Sequence, residues 1–133
     1  MISEHKLNLS LKDIPQFTKN LVGELKPLDI NKDILFDIRL VIEEALANAI
    51  KHGNKMDLTK NVFLKINASS KRIDIEIKDQ GKGFDYKKLP LPTEKENLHK
   101  YSGRGVFLIR KLMTQVKFFD NGARIKMTKL LKK

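Results

Sequence analysis

The chain has 133 residues, 27 Lys and Arg against 16 Asp and Glu, and a formal net charge of +11 at pH 7. This length predicts a single domain over residues 1–133, and a hydrophobic content of 41% is that of a globular protein. The absence of cysteine excludes disulfides and thiolate metal sites, and three scattered histidines disfavour a histidine-built metal centre. Because the sequence has neither a run of about 20 apolar residues nor a signal-peptide core, it predicts a cytoplasmic protein.

Two elements are predicted near the N-terminus. Leucines alternate with polar residues over 6–11, which is the period of a half-buried strand. Asp13 is predicted to cap a helix over residues 13–25, which stops before Pro27 because the interior of a helix does not tolerate proline.

The best-defined element is a long helix predicted over residues 31–52. Gly53 and Asn54 are both suited to a left-handed cap at its end. Apolar residues at helical spacing predict its buried side. These residues are Leu35, Ile38, Ile42, Ala45, Leu46 and Ala49.

The rest of the chain predicts two antiparallel hairpins, separated by a polar loop and a helix. The strands are expected at 61–68, 72–78, 116–119 and 124–130, the loop at 85–102, the helix at 104–113, and the last turn at 120–122. The order β-α-α-β-β-loop-α-β-β favours an α+β fold. We expect a two-layer sandwich with the helices on one face of a mixed, mostly antiparallel sheet.

Glu44, Asn48 and Lys51 lie opposite the apolar side of the long helix at spacings i, i+4 and i+7, so they share one face. An amide oxygen is a hard ligand for Mg2+, a lysine can contact a phosphate, and a carboxylate can orient a nucleophile. The pattern is also typical of a solvated helix face, since Asp33 and Asp37 lie near it. Spacing alone leaves both interpretations open.

Asp79 falls on the buried side of its strand, because the isoleucines of 73–77 alternate with polar residues before it. An inward carboxylate costs free energy unless it meets donors, and an amino-bearing heterocycle such as adenine would supply one. Gly81 and Gly83 follow, and glycine allows a ligand to approach the backbone closely. The alternative is an aspartate that caps a turn.

Gly103, Arg104 and Gly105 precede an apolar stretch in which Val106 and Phe107 are expected to be core. Backbone N–H groups at a helix N-terminus bind anions, although a flexible loop before an ordinary helix would have the same sequence. The chain has no GxxxxGK[ST] segment and no GxGxxG after its first strand. A P-loop and a Rossmann site are therefore excluded.

Three segments of the chain carry a family resemblance. They are Glu44-Ala-Leu-Ala-Asn48-Ala-Ile-Lys51-His-Gly53, Asp79-Gln-Gly81-Lys-Gly83-Phe84 and Gly103-Arg-Gly105-Val-Phe-Leu-Ile109. In order and spacing they resemble the N box and the two glycine boxes of the GHKL, or histidine kinase-like, ATPases. Over nearly its whole length the chain is most similar to the short bacterial serine kinases that act as anti-sigma factors, of the RsbW and SpoIIAB kind.

The resemblance implies a Bergerat-type fold that binds ATP and Mg2+. Asn48 would hold the Mg2+ and Glu44 would be the general base. Asp79 would read the adenine amino group, and Gly81 and Gly83 would open the pocket.

The resemblance also implies contacts with the phosphates and with other proteins. Lys51 would contact a phosphate, and Gly103, Arg104 and Gly105 would cradle phosphates beside a lid over residues 85–102. Partners in this group are a sigma factor and a STAS-domain antagonist whose serine is phosphorylated, and homodimers are typical. The chain departs from many members at Ala123, where a threonine commonly supports adenine.

Three functions stay open. The first is an ATP-dependent serine/threonine kinase that works by partner switching, and the second is an ATP-binding partner-switch module without phosphotransfer. The third is a nucleic-acid-binding protein, suggested by the net charge of +11. This third function is poorly supported by the few aromatic residues, since Phe17, Phe36, Phe63 and Phe107 are expected to pack in the core.

Overall fold

The computed structural model describes residues 1–81 and 101–131, with the backbone alone at 101–104. In chain order the helices and strands of these residues are β1 (Ile2–Leu7), α1 (Ile14–Gly23), α2 (Lys32–Asn48), β2 (Val62–Ala68), β3 (Arg72–Asp79), α3 (Tyr101–Leu112), β4 (Gln115–Phe119) and β5 (Arg124–Leu130). Short 3-10 turns precede α1 and α2, and another joins β4 to β5.

The strands form one sheet in the order β1-β2-β3-β5-β4. Every neighbouring pair in the described residues is antiparallel, so the expectation of a mixed sheet is replaced by a wholly antiparallel one. Alternate side chains of the central strands are buried, including Ile73, Ile75 and Ile77 of β3. The predicted α+β architecture is confirmed.

The helices cover one face of this sheet, with α2 between α1 and α3 and in contact with both. The predicted apolar side of α2 is buried against the core, except that Leu35 is only partly buried. Phe36 is 66% exposed and Phe107 is 39% exposed. Their expected core positions are wrong because each lies two residues, about 200°, from a buried isoleucine of its helix.

The first strand lies closer to the N-terminus than predicted. β1 pairs with β2 from Ile2 opposite Asn67 to Leu7 opposite Val62, where β2 begins. The strand prediction over 6–11 is therefore wrong: the chain leaves the sheet edge there, and Leu9 and Leu11 pack on the core from the following turn.

Asp13 does not cap α1 with its side chain. Its carboxylate accepts hydrogen bonds from the backbone N of Ser10 (3.1 Å) and from the Ser10 hydroxyl (2.9 Å). These bonds close the 3-10 turn before α1, and α1 itself ends at Gly23, before Pro27.

The end of α2 also differs from the prediction. The α-helix stops at Asn48, and a π-helical turn over Ala49–Gly53 follows. The left-handed residues are Lys55 (φ 53°) and Met56 (φ 64°), rather than Gly53 or Asn54. Since π turns often occur at functional sites, this irregular end is a feature to explain.

The third helix begins at Tyr101 instead of residue 104, so its first residues replace the end of the predicted loop. Glycine is a weak helix former, and here the packing of α3 on α2 overrides that propensity. Residues 85–100 of the predicted lid, and Gly83, lie outside the described residues. Within 1–81 and 101–131, the helices are too short or too polar to span a membrane.

Candidate functional site

Glu44 and Asn48 lie one turn apart on α2, and each is only 5% exposed. They face Gly105 of α3: a Cβ added there would lie 2.8 Å from Glu44 Oε2 and 3.2 Å from Asn48 Nδ2. A side chain on residue 105 would therefore displace them. The alternative of a solvated helix face is wrong for these two residues, because α3 covers them.

The adjacent carboxylate of Glu43 is directed elsewhere. Its Oε2 accepts a hydrogen bond from the Thr18 hydroxyl of α1 (2.9 Å). The same oxygen forms an ion pair with Arg39 Nε (3.5 Å). Of the two neighbouring glutamates, Glu44 is thus the one that faces Asn48 and α3.

Asn48 Oδ1 is buried and has no hydrogen-bond partner among the described residues. Leaving a buried acceptor unpaired costs about 1–3 kcal/mol, so such an atom calls for an explanation. An amide oxygen suits Mg2+, which is commonly bound by one or two protein groups together with substrate phosphates and water. The side-chain oxygen of Asn48 is therefore a suitable ligand for Mg2+.

Asp79 ends β3 and is only 3% exposed, as its strand parity predicted. Its backbone N donates to Ala123 O (2.8 Å), and its carboxylate Oδ1 accepts from the backbone N of Gly81 (2.8 Å). Burial raises the pKa of Asp79 to about 6, although the Gly81 N–H group and the charge of Lys60 act to lower it. The carboxylate is therefore ionised at neutral pH but poorly solvated.

Two glycines pack tightly around Asp79. A Cβ on Gly53 would overlap the Asp79 carboxylate, and a Cβ on Gly81 would overlap the carbonyl oxygen of Gly53. Gly81 therefore serves close packing against Gly53, beside any part it has in opening a pocket. The π turn at the end of α2 is what carries Gly53 to this position.

A small cavity of about 20 Å³ lies between the two groups of residues, with room for about one water molecule and far below the volume of an ordinary ligand pocket, roughly 300 Å³. Asn48 and Asp79 both line it, and its other walls are largely apolar. They include Ala49, Ile77, Phe118 and Ala123. The chemistry of this lining, a buried carboxylate between apolar walls, matches a flat heterocycle that carries an amino group, but such a ring enters only if the walls move apart.

None of the other predicted site residues in the described part of the chain lines this cavity. Lys51 is half-buried in the π turn that follows Asn48. Gly103 and Arg104 belong to the first turn of α3, with Gly105 next to Glu44. The placement of Gly83 is outside the described residues.

The hydrogen bonds of two buried polar residues, Thr18 and Asn54, were not predicted from the sequence. Thr18 is fully buried, and it could have been noticed as the hydroxyl residue within the apolar stripe of α1. Asn54 is 3% exposed and makes two side-chain hydrogen bonds. No periodic pattern marks these bonds of Asn54, because their partners lie 7 and 26 residues further along the chain.

Comparison with known proteins shows the family of the chain. Residues 9–129 match the histidine kinase-like ATPase domain, and the chain belongs to this family.

Several curated relatives have the name serine-protein kinase RsbW. The protein of Staphylococcus epidermidis is 30% identical in an alignment of 138 positions, which covers 98% of this chain and 87% of that protein. Its counterpart in Bacillus licheniformis is 28% identical over 123 residues, covering 84% and 74%. That of Listeria innocua is 25% identical over 142 residues, covering 95% and 87%. The predicted resemblance is confirmed, and these relatives support the predicted enzyme class, a protein serine/threonine kinase.

Proposed function

We propose that the protein is an ATP-dependent serine/threonine kinase and an anti-sigma-factor-type partner-switching regulator. The observation that carries the proposal is one cavity lined by a buried carboxylate, Asp79, and by a buried amide oxygen of Asn48 without a partner among the described residues. Glu44 lies one helical turn from Asn48. The kinase relatives support the same chemistry.

Nucleotide binding is assigned to Asp79 and Asn48, the two polar residues that line the cavity. Asp79, ionised above its pKa of about 6, would accept a hydrogen bond from the adenine amino group. Asn48 would hold Mg2+ through its amide oxygen. Bound Mg-ATP supplies the phosphoryl group for transfer and the metal charge that stabilises its oxygens.

Phosphate contacts are assigned to Lys51 and to the start of α3. The backbone of Gly103 and Arg104 lies close to the N-terminus of this helix, and backbone N–H groups at a helix N-terminus favour anions. Gly105 and the two glycines after Asp79, Gly81 and Gly83, complete the residues assigned to nucleotide binding.

Glu44 is assigned the role of general base. It would accept or orient the proton of the incoming serine hydroxyl, which makes the oxygen a better nucleophile. Its burial against Gly105 supports this role, because a carboxylate held in one position can be aimed at a substrate atom. Glu43 is held toward α1 by Thr18 and Arg39.

The partners are proposed from the kinship with RsbW proteins. They are a sigma factor and a STAS-domain antagonist, with the antagonist's serine as the phosphate acceptor. A homodimer, a single domain over residues 1–133 and a cytoplasmic location stay predictions. The net charge of +11 favours acidic surfaces on these partners.

The matched pair Glu44→Gln and Glu43→Gln tests the proposal by intact-mass measurement of phosphate on STAS-domain antagonists incubated with Mg-ATP. We expect Glu44→Gln to bind ATP within about threefold of wild type and to lose transfer by roughly 10²- to 10⁴-fold. Glu43→Gln should retain transfer.

Two outcomes would contradict the proposed roles. Undiminished transfer by Glu44→Gln would remove Glu44 as the base. A partner that binds only with ATP present and never gains phosphate mass would identify the alternative, a non-catalytic partner-switch module.

A further inference from the structure

Asn54 lies just after the π turn, and both ends of its buried side chain are hydrogen-bonded. Nδ2 donates to the carbonyl oxygen of Asn61 (3.1 Å), and Oδ1 accepts from the backbone N of Gln80 (2.8 Å). One partner is a carbonyl and the other is an N–H group. The orientation of the amide is therefore fixed by its surroundings.

A third bond closes this arrangement. The side-chain Oε1 of Gln80 accepts from the backbone N of Asn61 at 2.6 Å. Asn54, Asn61 and Gln80 thus hold together the chain after α2, the residue before β2 and the residue after β3. Asn54 and Asn61 are the two ends of the loop between α2 and β2, Gln80 lies 26 residues after Asn54, and Asn54 contributes two of the three bonds.

The two segments that Asn54 connects both contact the side chain of Asp79. On one side Gly53, the residue before Asn54, packs against the Asp79 carboxylate too closely for a Cβ. On the other side Gln80, which Asn54 binds, is followed by Gly81, whose N–H group donates to Asp79 Oδ1 (2.8 Å). Moving either segment would move the carboxylate or its donor.

We propose that Asn54 is a positioning residue that aims the Asp79 carboxylate at the 6-amino group of a purine nucleotide. The inference rests on the proposed function, since it concerns the same adenine site. Hydrogen bonds weaken steeply with misalignment, so the recognition of one amino group depends on where this carboxylate is held. Asn54 would act through Asp79 without touching the nucleotide.

The test compares two nucleotides that differ only at the 6 position: ATP and purine riboside triphosphate, which lacks the 6-amino group. For wild type we expect ATP to bind at least about tenfold more tightly, as one hydrogen bond to a charged acceptor allows. In Asn54→Ala and Asn54→Leu this ratio should fall to near one, while the analogue's dissociation constant changes by less than about threefold. A thermal unfolding transition shows whether each variant is folded. If Asn54→Ala does not fold, Asn54→Leu serves in its place, because leucine fills the volume of the asparagine side chain.

Asn8→Ala is the matched control. Asn8 Nδ2 donates to the carbonyl oxygen of Leu58 (2.7 Å) in the loop that also contains Asn54, but this bond is exposed and reaches neither Gly53 nor Gln80. The control variant should keep the wild-type ratio.

A folded Asn54 variant with the wild-type ratio would overturn the positioning role. So would an equal loss of affinity for both nucleotides, which indicates general damage to the fold. Wild type that binds both nucleotides equally would overturn the inference together with the assignment of Asp79 to adenine. Wild type that binds neither would overturn the proposed function itself.

Discussion

Replacing Asp79 by asparagine is expected to stabilise the nucleotide-free protein at neutral pH. Burial raises the pKa of Asp79 from 3.8 to about 6. Because the folded state then binds the proton more tightly than the unfolded state, the free energy of unfolding falls as the pH rises from about 4 to about 6. The difference between a pKa of 3.8 and one of about 6 corresponds to a destabilisation of the folded state by about 3 kcal/mol, which is fully present above pH 6.

Urea unfolding at pH 4 and pH 7 measures this effect. We expect Asp79→Asn to gain roughly 1–3 kcal/mol over wild type at pH 7 and little at pH 4, where the carboxyl is protonated in the folded state. The control is Asp74→Asn. Its neighbour Arg72 and the hydroxyl of Thr128 hold the pKa of Asp74 below its usual value, so this substitution should lose stability at pH 7. An Asp79→Asn protein less stable than wild type at pH 7 would refute the reasoning.

The same carboxylate predicts a pH dependence of nucleotide binding. A protonated Asp79 no longer offers an ionised acceptor, so ATP affinity should decrease as the pH falls below about 6, and Asp79→Asn should bind ATP weakly at every pH. Equilibrium titrations from pH 5 to pH 8 measure it. Equal affinity across this range, in a folded wild-type protein, would contradict the role of Asp79.

Two glycine substitutions extend these tests. Gly53→Ala places a methyl group on the Asp79 carboxylate and should cost about 1–3 kcal/mol in urea unfolding. In the control, Gly23→Ala in α1, the added methyl group meets nothing within 4 Å, and the free energy of unfolding should rise by about 0.5–1 kcal/mol. Equal stabilities of the two variants would contradict the close packing of Gly53 against Asp79. Gly105→Ala brings a Cβ within 2.8 Å of Glu44 Oε2 and should lower the initial rate of phosphotransfer at least about tenfold with little change in thermal stability. An unchanged rate would contradict the contact between α3 and Glu44.

Local periodicity was sufficient to predict much of the architecture. The 3.6-residue period of α2 separated its apolar side from Glu44 and Asn48, and the alternation of β3 predicted the burial of Asp79. The two hairpins were found at nearly their observed bounds, because their turns contain residues suited to them. In each case, neighbours in sequence carry the signal.

The features that the sequence analysis missed depend on distant parts of the chain. Whether the face of Glu44 and Asn48 is solvated depends on α3, which is more than 50 residues away in the sequence. Asn54 is defined by bonds to Asn61 and Gln80 rather than by any pattern. The strand near the N-terminus was misplaced because only its pairing with β2 determines where it begins and ends.

Thermal unfolding of wild type and Asn48→Ala, with and without Mg-ATP, tests the nucleotide site most directly and requires no knowledge of the protein substrate. At a hundredfold excess of ligand over its dissociation constant, linkage predicts about 2.7 kcal/mol of stabilisation for wild type. This gain should disappear in Asn48→Ala and persist in Asn67→Ala, a control at an exposed asparagine of β2. Wild type whose midpoint does not rise with Mg-ATP, or an equal rise in Asn48→Ala, would contradict a magnesium-nucleotide site at Asn48.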